Sequence, residues 1–204
     1  MLDVLDRKIR QMHESLGALR NADISNLRQE HAQTESGFYR SIDFSQGKTE
    51  AGLANIATLL VANIACLKDH LKVWCKMNSI AFEGDNLINS DSNVAIVHDL
   101  WNIDKHTDQN SNKRSGHIPK LVNLRQTLNL SSGTQAGGYA TFTMDPKTGQ
   151  MSMQSSGGGS VGLVISGDVL DENGNRLGDF LEICEKAVQA WKYALLNSGI
   201  PIAG

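Results

Sequence analysis

Leu53, Leu60, Leu67 and Trp74 stand seven residues apart, with Ile56, Ala57, Ile64 and Leu71 beside them. A row of this kind, from Thr49 to about Asn78, comes together on one side only in a helix, where seven residues make two turns. The stretch is apolar on most sides through its middle, which places it centrally among other helices. Asn63 and His70 extend the row begun by Ile56 and so point near the core. A chain carrying such a helix has to supply partners that cover it.

Three further segments have the right pattern. Leu2, Leu5, Ile9, Met12, Leu16 and Leu19 alternate spacings of three and four, predicting a helix over about 2–20. Ser90, Asp91, Ser92 and Asn93 are good N-cap residues before Ile96, Val97, Leu100, Trp101 and Ile103, predicting a helix over about 92–107. Phe180, Cys184, Ala187, Trp191 and Ala194 predict a last helix over about 178–197, ended by Gly199 and Pro201.

Between the third and last helices the period drops to two. Tyr139–Met144 and Gln150–Gln154 flank Asp145-Pro146 and Gly149, a hairpin signature. Val161–Ile165 is a further strand, and Asp168–Asp171 continues it or pairs beside it before the Asn173-Gly174 turn. Residues 35–47 read as a loop with scattered aromatics. Residues 108–137 lose periodicity, with a short helix over 121–128 as the best local option. The expected fold is therefore mainly α: one domain over 1–204, a four-helix bundle with a small antiparallel β-meander, about 139–171, inserted before the last helix.

With 40% hydrophobic residues, the 204-residue chain can bury a core. A net charge of −3 with 20% charged residues provides no global field toward nucleic acid or anionic lipid. Charges interrupt the N-terminal apolar residues from Asp3 onward, unlike a signal peptide. The most hydrophobic run, Ile56–Leu67, is too short to span a bilayer. Three cysteines, an odd number, argue against a disulfide framework. Cys66 and Cys75 lie roughly 13 Å apart along one helix, too far to bridge. These features point to a cytoplasmic protein without a membrane partner.

One polar cluster stands out. At about 100° per residue, Asp99, Asn102 and His106 fall within roughly 60° of one another on the third helix. They border the apolar face of Ile96, Leu100 and Ile103, where unpaired polar groups cost about 1–3 kcal/mol each. Lys68, Asp69 and His70 on the central helix are the expected partners. The simplest role is a buried polar network that fixes helix register. The sharper one is a general acid–base or ligand-contacting site. No second His or Cys sits at the spacing zinc helices use, so neither metal nor other cofactor is expected.

The segment after it carries Lys113, Arg114, His117 and Lys120, with Arg125 further on, the densest positive stretch in the chain. It is either a solvated loop or a contact for an anion or a phosphate backbone. The glycine runs at 137–138 and 157–159 lack the context of a phosphate loop and read as turns.

The segments Ala62–Trp74 and Asp99–His106, followed by a hairpin region and a Trp-bearing last helix, resemble a group of uncharacterised bacterial and phage proteins with HEPN-like helical bundles. The resemblance covers about residues 50–107 and 160–197 and implies a helical bundle with Asp99, Asn102, Lys105 and His106 as signature residues. Many such bundles are ribonucleases or nucleotide-handling partners in defence and toxin–antitoxin systems. The catalytic pattern of that family, an Arg with a His four to six residues on, is met only by Arg7 and His13, on the first helix, so ribonuclease activity is not implied.

The leading expectation is a binding module for a protein or RNA partner. The alternatives are a hydrolase or nuclease-type enzyme acting on a phosphate-bearing substrate through Asp99 and His106, and a purely structural helical adaptor. A second copy of the chain, as a homodimer, is the further partner considered.

Overall fold

The computed structural model describes residues 2–20, 28–34, 37–44, 48–105, 113–132, 136–145 and 151–200. The chain divides into two compact units. The first takes Met1–Ala18, Glu50–Leu124 and Ser166–Gly204; the second takes Leu19–Thr49 and Arg125–Ile165.

The first unit is built on the central apolar row. It folds as α2 (Glu50–Ala65) and α3 (Leu67–Met77), divided at Cys66, whose amide still bonds the Ala62 carbonyl at 2.9 Å, after α1 (Leu2–Arg20). Leu60, Ile64, Leu67 and Leu71 are all but fully buried. Glu50–Met77 taken together is long and apolar enough, by length and composition, to cross a membrane. The central helix of a packed core passes the same test, and this one buries Leu53, Ala57, Leu60 and Ile64 inside its unit. Asn63, expected near the core, donates from Nδ2 to the Ser15 hydroxyl on α1 at 2.8 Å.

A short helix, α4 (Gly84–Ser90), leads into α5 (Ser92–Lys105). Asp91 caps α5: its Oδ1 accepts from the Asn93 and Val94 amides at 2.9 and 3.0 Å. The last helix, α6 (Phe180–Asn197), is capped by Asp179, which accepts from the Glu182 amide at 3.1 Å. Helix α5 packs against both α2 and α6. Val97 of α5 and Phe180, Cys184, Ala187 and Trp191 of α6 are buried.

The strands overturn the expected four-helix bundle. Besides helices, the described residues form β1 (Arg28–Thr34), β2 (Gly37–Asp43), β3 (Lys120–Ser131), β4 (Tyr139–Met144), β5 (Met151–Ser156), β6 (Ser160–Leu170) and β7 (Arg176–Asp179). This is a mixed α+β fold with a β-meander before the last helix, not a mainly α bundle. The helical bundle that the HEPN resemblance implies is not what the described residues form.

Two segments account for the difference. Residues 37–43, expected as loop, are one arm of an antiparallel hairpin running from Arg28↔Asp43 to Thr34↔Gly37. The short helix expected over 121–128 is instead part of strand β3. Val122, Leu124, Gln126, Leu128 and Leu130 lie two apart in a strand with polar residues between them, the period of a half-buried strand. β3 neighbours β6, and β6 pairs antiparallel with β7. Gly167 in β6 permits the close approach of β3. A Cβ there would sit 3.1 Å from both the Val122 carbonyl and Leu124 Cδ2.

In the second unit the hairpin β4–β5 pairs from Tyr139↔Ser156 to Met144↔Met151. Phe44 and Phe142 meet edge-on with centroids 6.5 Å apart. Lys48 Nζ donates to Gln126 Oε1 at 3.2 Å, giving that buried amide a partner. Leu163, Val164 and Ile165 of β6 are buried.

Candidate functional site

Asp99 lies on the core-facing side of α5 and is only 3% exposed. A carboxylate so buried requires donors, and the 113–119 segment provides them. Asp99 Oδ1 accepts from the Arg114 amide at 3.1 Å; Oδ2 accepts from the Ser115 amide and the Ser115 hydroxyl, both at 2.7 Å. His98 Nδ1 stands 3.8 Å from Oδ1. Gly116 follows with φ +78, a left-handed turn that glycine adopts without strain, directly after the residue donating twice to Asp99. Burial pushes the Asp99 carboxyl up, but the contacts from His98, Ser115 and Arg114 outweigh it and hold it below the usual carboxylate range.

The other members of the expected cluster are placed differently. Asn102 pairs with the His98 ring, Nδ2 to Nδ1 at 3.0 Å, one turn back on the same helix. Lys105 is exposed at the end of α5, and His106 lies outside the described residues. Of the partners expected on the central helix, Lys68 instead bonds Asp85 at 2.9 Å, and Asp69 is exposed. His70 is half-buried on α3.

The basic segment is held against acids. Arg114 donates from Nη1 to Asn89 Oδ1 at 2.7 Å, and its Nη2 stands 3.7 Å from Asp85. The Lys68 hydrogen bond, aided by the Lys68 and Arg114 charges, holds the Asp85 carboxyl below its usual value against a smaller upward push from burial. His117 Nδ1 is 3.9 Å from Glu172, which accepts from the Ile118 amide at 2.9 Å. Lys113 and Lys120 are exposed. Asp85, Asn89, Ser115 and Glu172 complete this arrangement and carry no local sequence signal. Each meets its partner across 16 to 54 residues of chain.

His117, Asp171 and Glu172 place three ligand-type atoms within 4.8 Å of one another. The carboxylates are already engaged, however. Asp171 Oδ1 accepts from the Asn173 and Asn175 amides at 2.9 and 2.8 Å, and Oδ2 accepts from Asn175 Nδ2 at 2.9 Å. With Glu172 on Ile118, this is the chemistry of a closed turn between β6 and β7.

Two hollows open in the first unit. One, of about 360 Å³, lies among Thr58, Val61, Leu100, Trp101 and the chain at Pro119–Val122. The other, of about 380 Å³, is walled by Leu71, Phe82, Leu87, Trp191, Leu195 and Ile200. Comparison of the chain with protein-family models, curated proteins and solved structures finds no match.

Proposed function

We propose that this chain is a binding module for a protein partner rather than a phosphate-directed hydrolase. The observation that carries this is the state of Asp99, whose two oxygens take three hydrogen bonds from Arg114 and Ser115. A carboxylate with a lowered pKa and its lone pairs engaged is a poor general base, because it has little affinity for a proton at neutral pH. Asp99 acts here as an anchor for the loop.

A protein partner is favoured over RNA by what is open and what is not. Arg114 and His117 face Asp85 and Glu172, so the basic segment is partly neutralised. By contrast, Val73 and Met77 on α3, and Tyr193 and Leu196 on α6, are each more than half exposed. These pairs are spaced four and three residues apart, so each lies on one helix face. The partner offered by such pairs is an apolar protein surface, a second copy of the chain included. We place the protein in the cytoplasm, a location supported by three free thiols.

The test has two arms. Anisotropy with labelled single-stranded and hairpin RNA, titrated from low to physiological salt, is expected to show no saturable binding. Sedimentation and affinity capture with wild type and with Val73→Glu/Met77→Glu are expected to show a partner that the variant loses. RNA binding that weakens on neutralising Lys113, Arg114, Lys120 and Arg125 would transfer the function to the loop. Phosphodiester hydrolysis lost in Asp99→Asn would restore the enzyme.

A further inference from the structure

Asn173 and Gly174 form the one Asn-Gly pair in the chain; every other asparagine is followed by a residue with a side chain. The pair sits in the turn between β6 and β7, where both residues are exposed and Gly174 has φ +84. A left-handed φ suits glycine, which has no Cβ to clash. The space around it is open, since a Cβ built on Gly174 would meet nothing within 4 Å. Nothing therefore shields the Gly174 amide nitrogen from the carboxamide of the residue before it, and asparagine is among the thermally labile side chains.

The hydrogen bonds of the turn leave that encounter open. Asp171 Oδ1 accepts from the Asn173 and Asn175 amides at 2.9 and 2.8 Å, and Oδ2 accepts from Asn175 Nδ2 at 2.9 Å. The Asp171 amide donates to the Asn175 carbonyl at 2.9 Å. The Gly174 amide donates to the Asp171 carbonyl at 3.2 Å, the longest bond of the set. The side-chain amide of Asn173 enters none of these bonds. It can turn toward the least tightly held amide of the turn.

We propose that Asn173 is a self-modification site, converted to aspartate and isoaspartate through a succinimide closed with Gly174. Hydroxide removes the Gly174 amide proton, the nitrogen attacks Asn173 Cγ, and Nδ2 leaves as ammonia. Water then opens the ring. Attack at Cγ breaks its bond to the Gly174 nitrogen and gives aspartate; attack at the backbone carbonyl gives isoaspartate, with the main chain routed through Cγ. Nothing is oxidised or reduced, and water and hydroxide are the only co-reactants. Isoaspartate adds one methylene to the chain between Asp171 and Asn175. Asp171, only 7% exposed, then loses the register of the two donors that Asn175 gives its carboxylate. This site goes beyond the protein-partner function and does not depend on it.

The test holds the full chain folded at mildly alkaline pH and samples it over time by peptide mapping, with electron-transfer fragmentation to tell isoaspartate from aspartate. Asn173 is expected to convert before any other asparagine, at a rate that rises with hydroxide, and to give both acids. Asn173→Gln, which cannot close the same ring, is expected to leave that peptide unchanged. The isoaspartate form, purified by hydrophobic-interaction chromatography, is expected to melt at a lower temperature than Asn173→Asp, which carries the same charge on an ordinary backbone. Asn173 intact in the folded chain while it converts in urea, another asparagine converting first, or aspartate as the sole product would overturn the site. Equal melting of the isoaspartate form and Asn173→Asp would overturn its coupling to Asp171.

Discussion

Asp99 holds Ser115 twice, through the backbone amide and the hydroxyl, each at 2.7 Å from the same carboxylate oxygen. The two residues are sixteen apart in the chain. These two hydrogen bonds, with the Arg114 amide on the other oxygen, fasten the 113–119 segment to the buried side of α5.

Asp99→Ala is expected to lower stability by about 2–4 kcal/mol, because three donors lose their acceptor beside the core. Asp99→Asn keeps one acceptor oxygen and should cost about half as much. Urea midpoints measure both. Faster hydrogen exchange at the Arg114 and Ser115 amides would localise the loss to the loop.

The Asp99 carboxyl sits below its ordinary value in the folded protein. In an unfolded chain an aspartate titrates near about 4. Its contribution is therefore complete above that pH and is lost as pH falls through the lower, folded value. Urea midpoints of wild type should fall more steeply toward acid than those of Asp99→Asn. Parallel pH profiles would show that Asp99 contributes nothing to acid sensitivity.

Arg114→Ala should cost less than about 1 kcal/mol. Its amide, which bonds Asp99, is retained, and only the largely exposed contacts to Asn89 and Asp85 are removed. A loss as large as that of Asp99→Ala in thermal melts would mean that the guanidinium, not the backbone, orders the loop.

Leu59 and Leu60 are neighbours on α2 with opposite environments, 59% and 0% exposed. Leu60→Ala is expected to cost about 2–5 kcal/mol through the transfer and cavity terms. Leu59→Lys should stay within about 0.5 kcal/mol of wild type. The pair measures which side of the apolar row faces the core.

The longer helices were legible because their pattern is local. Spacings of three, four and seven mark the helices at 2–20, 50–77, 92–105 and 180–197, and two of them also carry a caps-forming aspartate, Asp91 and Asp179. The hairpin of β4 and β5 was legible from its turn residues and alternation. Strand β3 carried the same period-two signal in Val122, Leu124, Leu128 and Leu130, but Gln126 and the polar residues between them hid it behind a helical alternative. The polar strand at 28–34 has no apolar alternation, and its pairing with 37–43 depends on backbone hydrogen bonds that any sequence can offer.

By itself, then, the sequence determined where the longer helices run and that Asp99 would need partners, since periodicity and the cost of a buried carboxylate are properties of the residues alone. Which partners it took was decided only in three dimensions. Lys68 was among the partners expected on the central helix, yet it went to Asp85, while Ser115, just before the Gly116 turn, reached Asp99. Long-range contacts depend on how elements pack, and packing is not written in the spacing of any one of them.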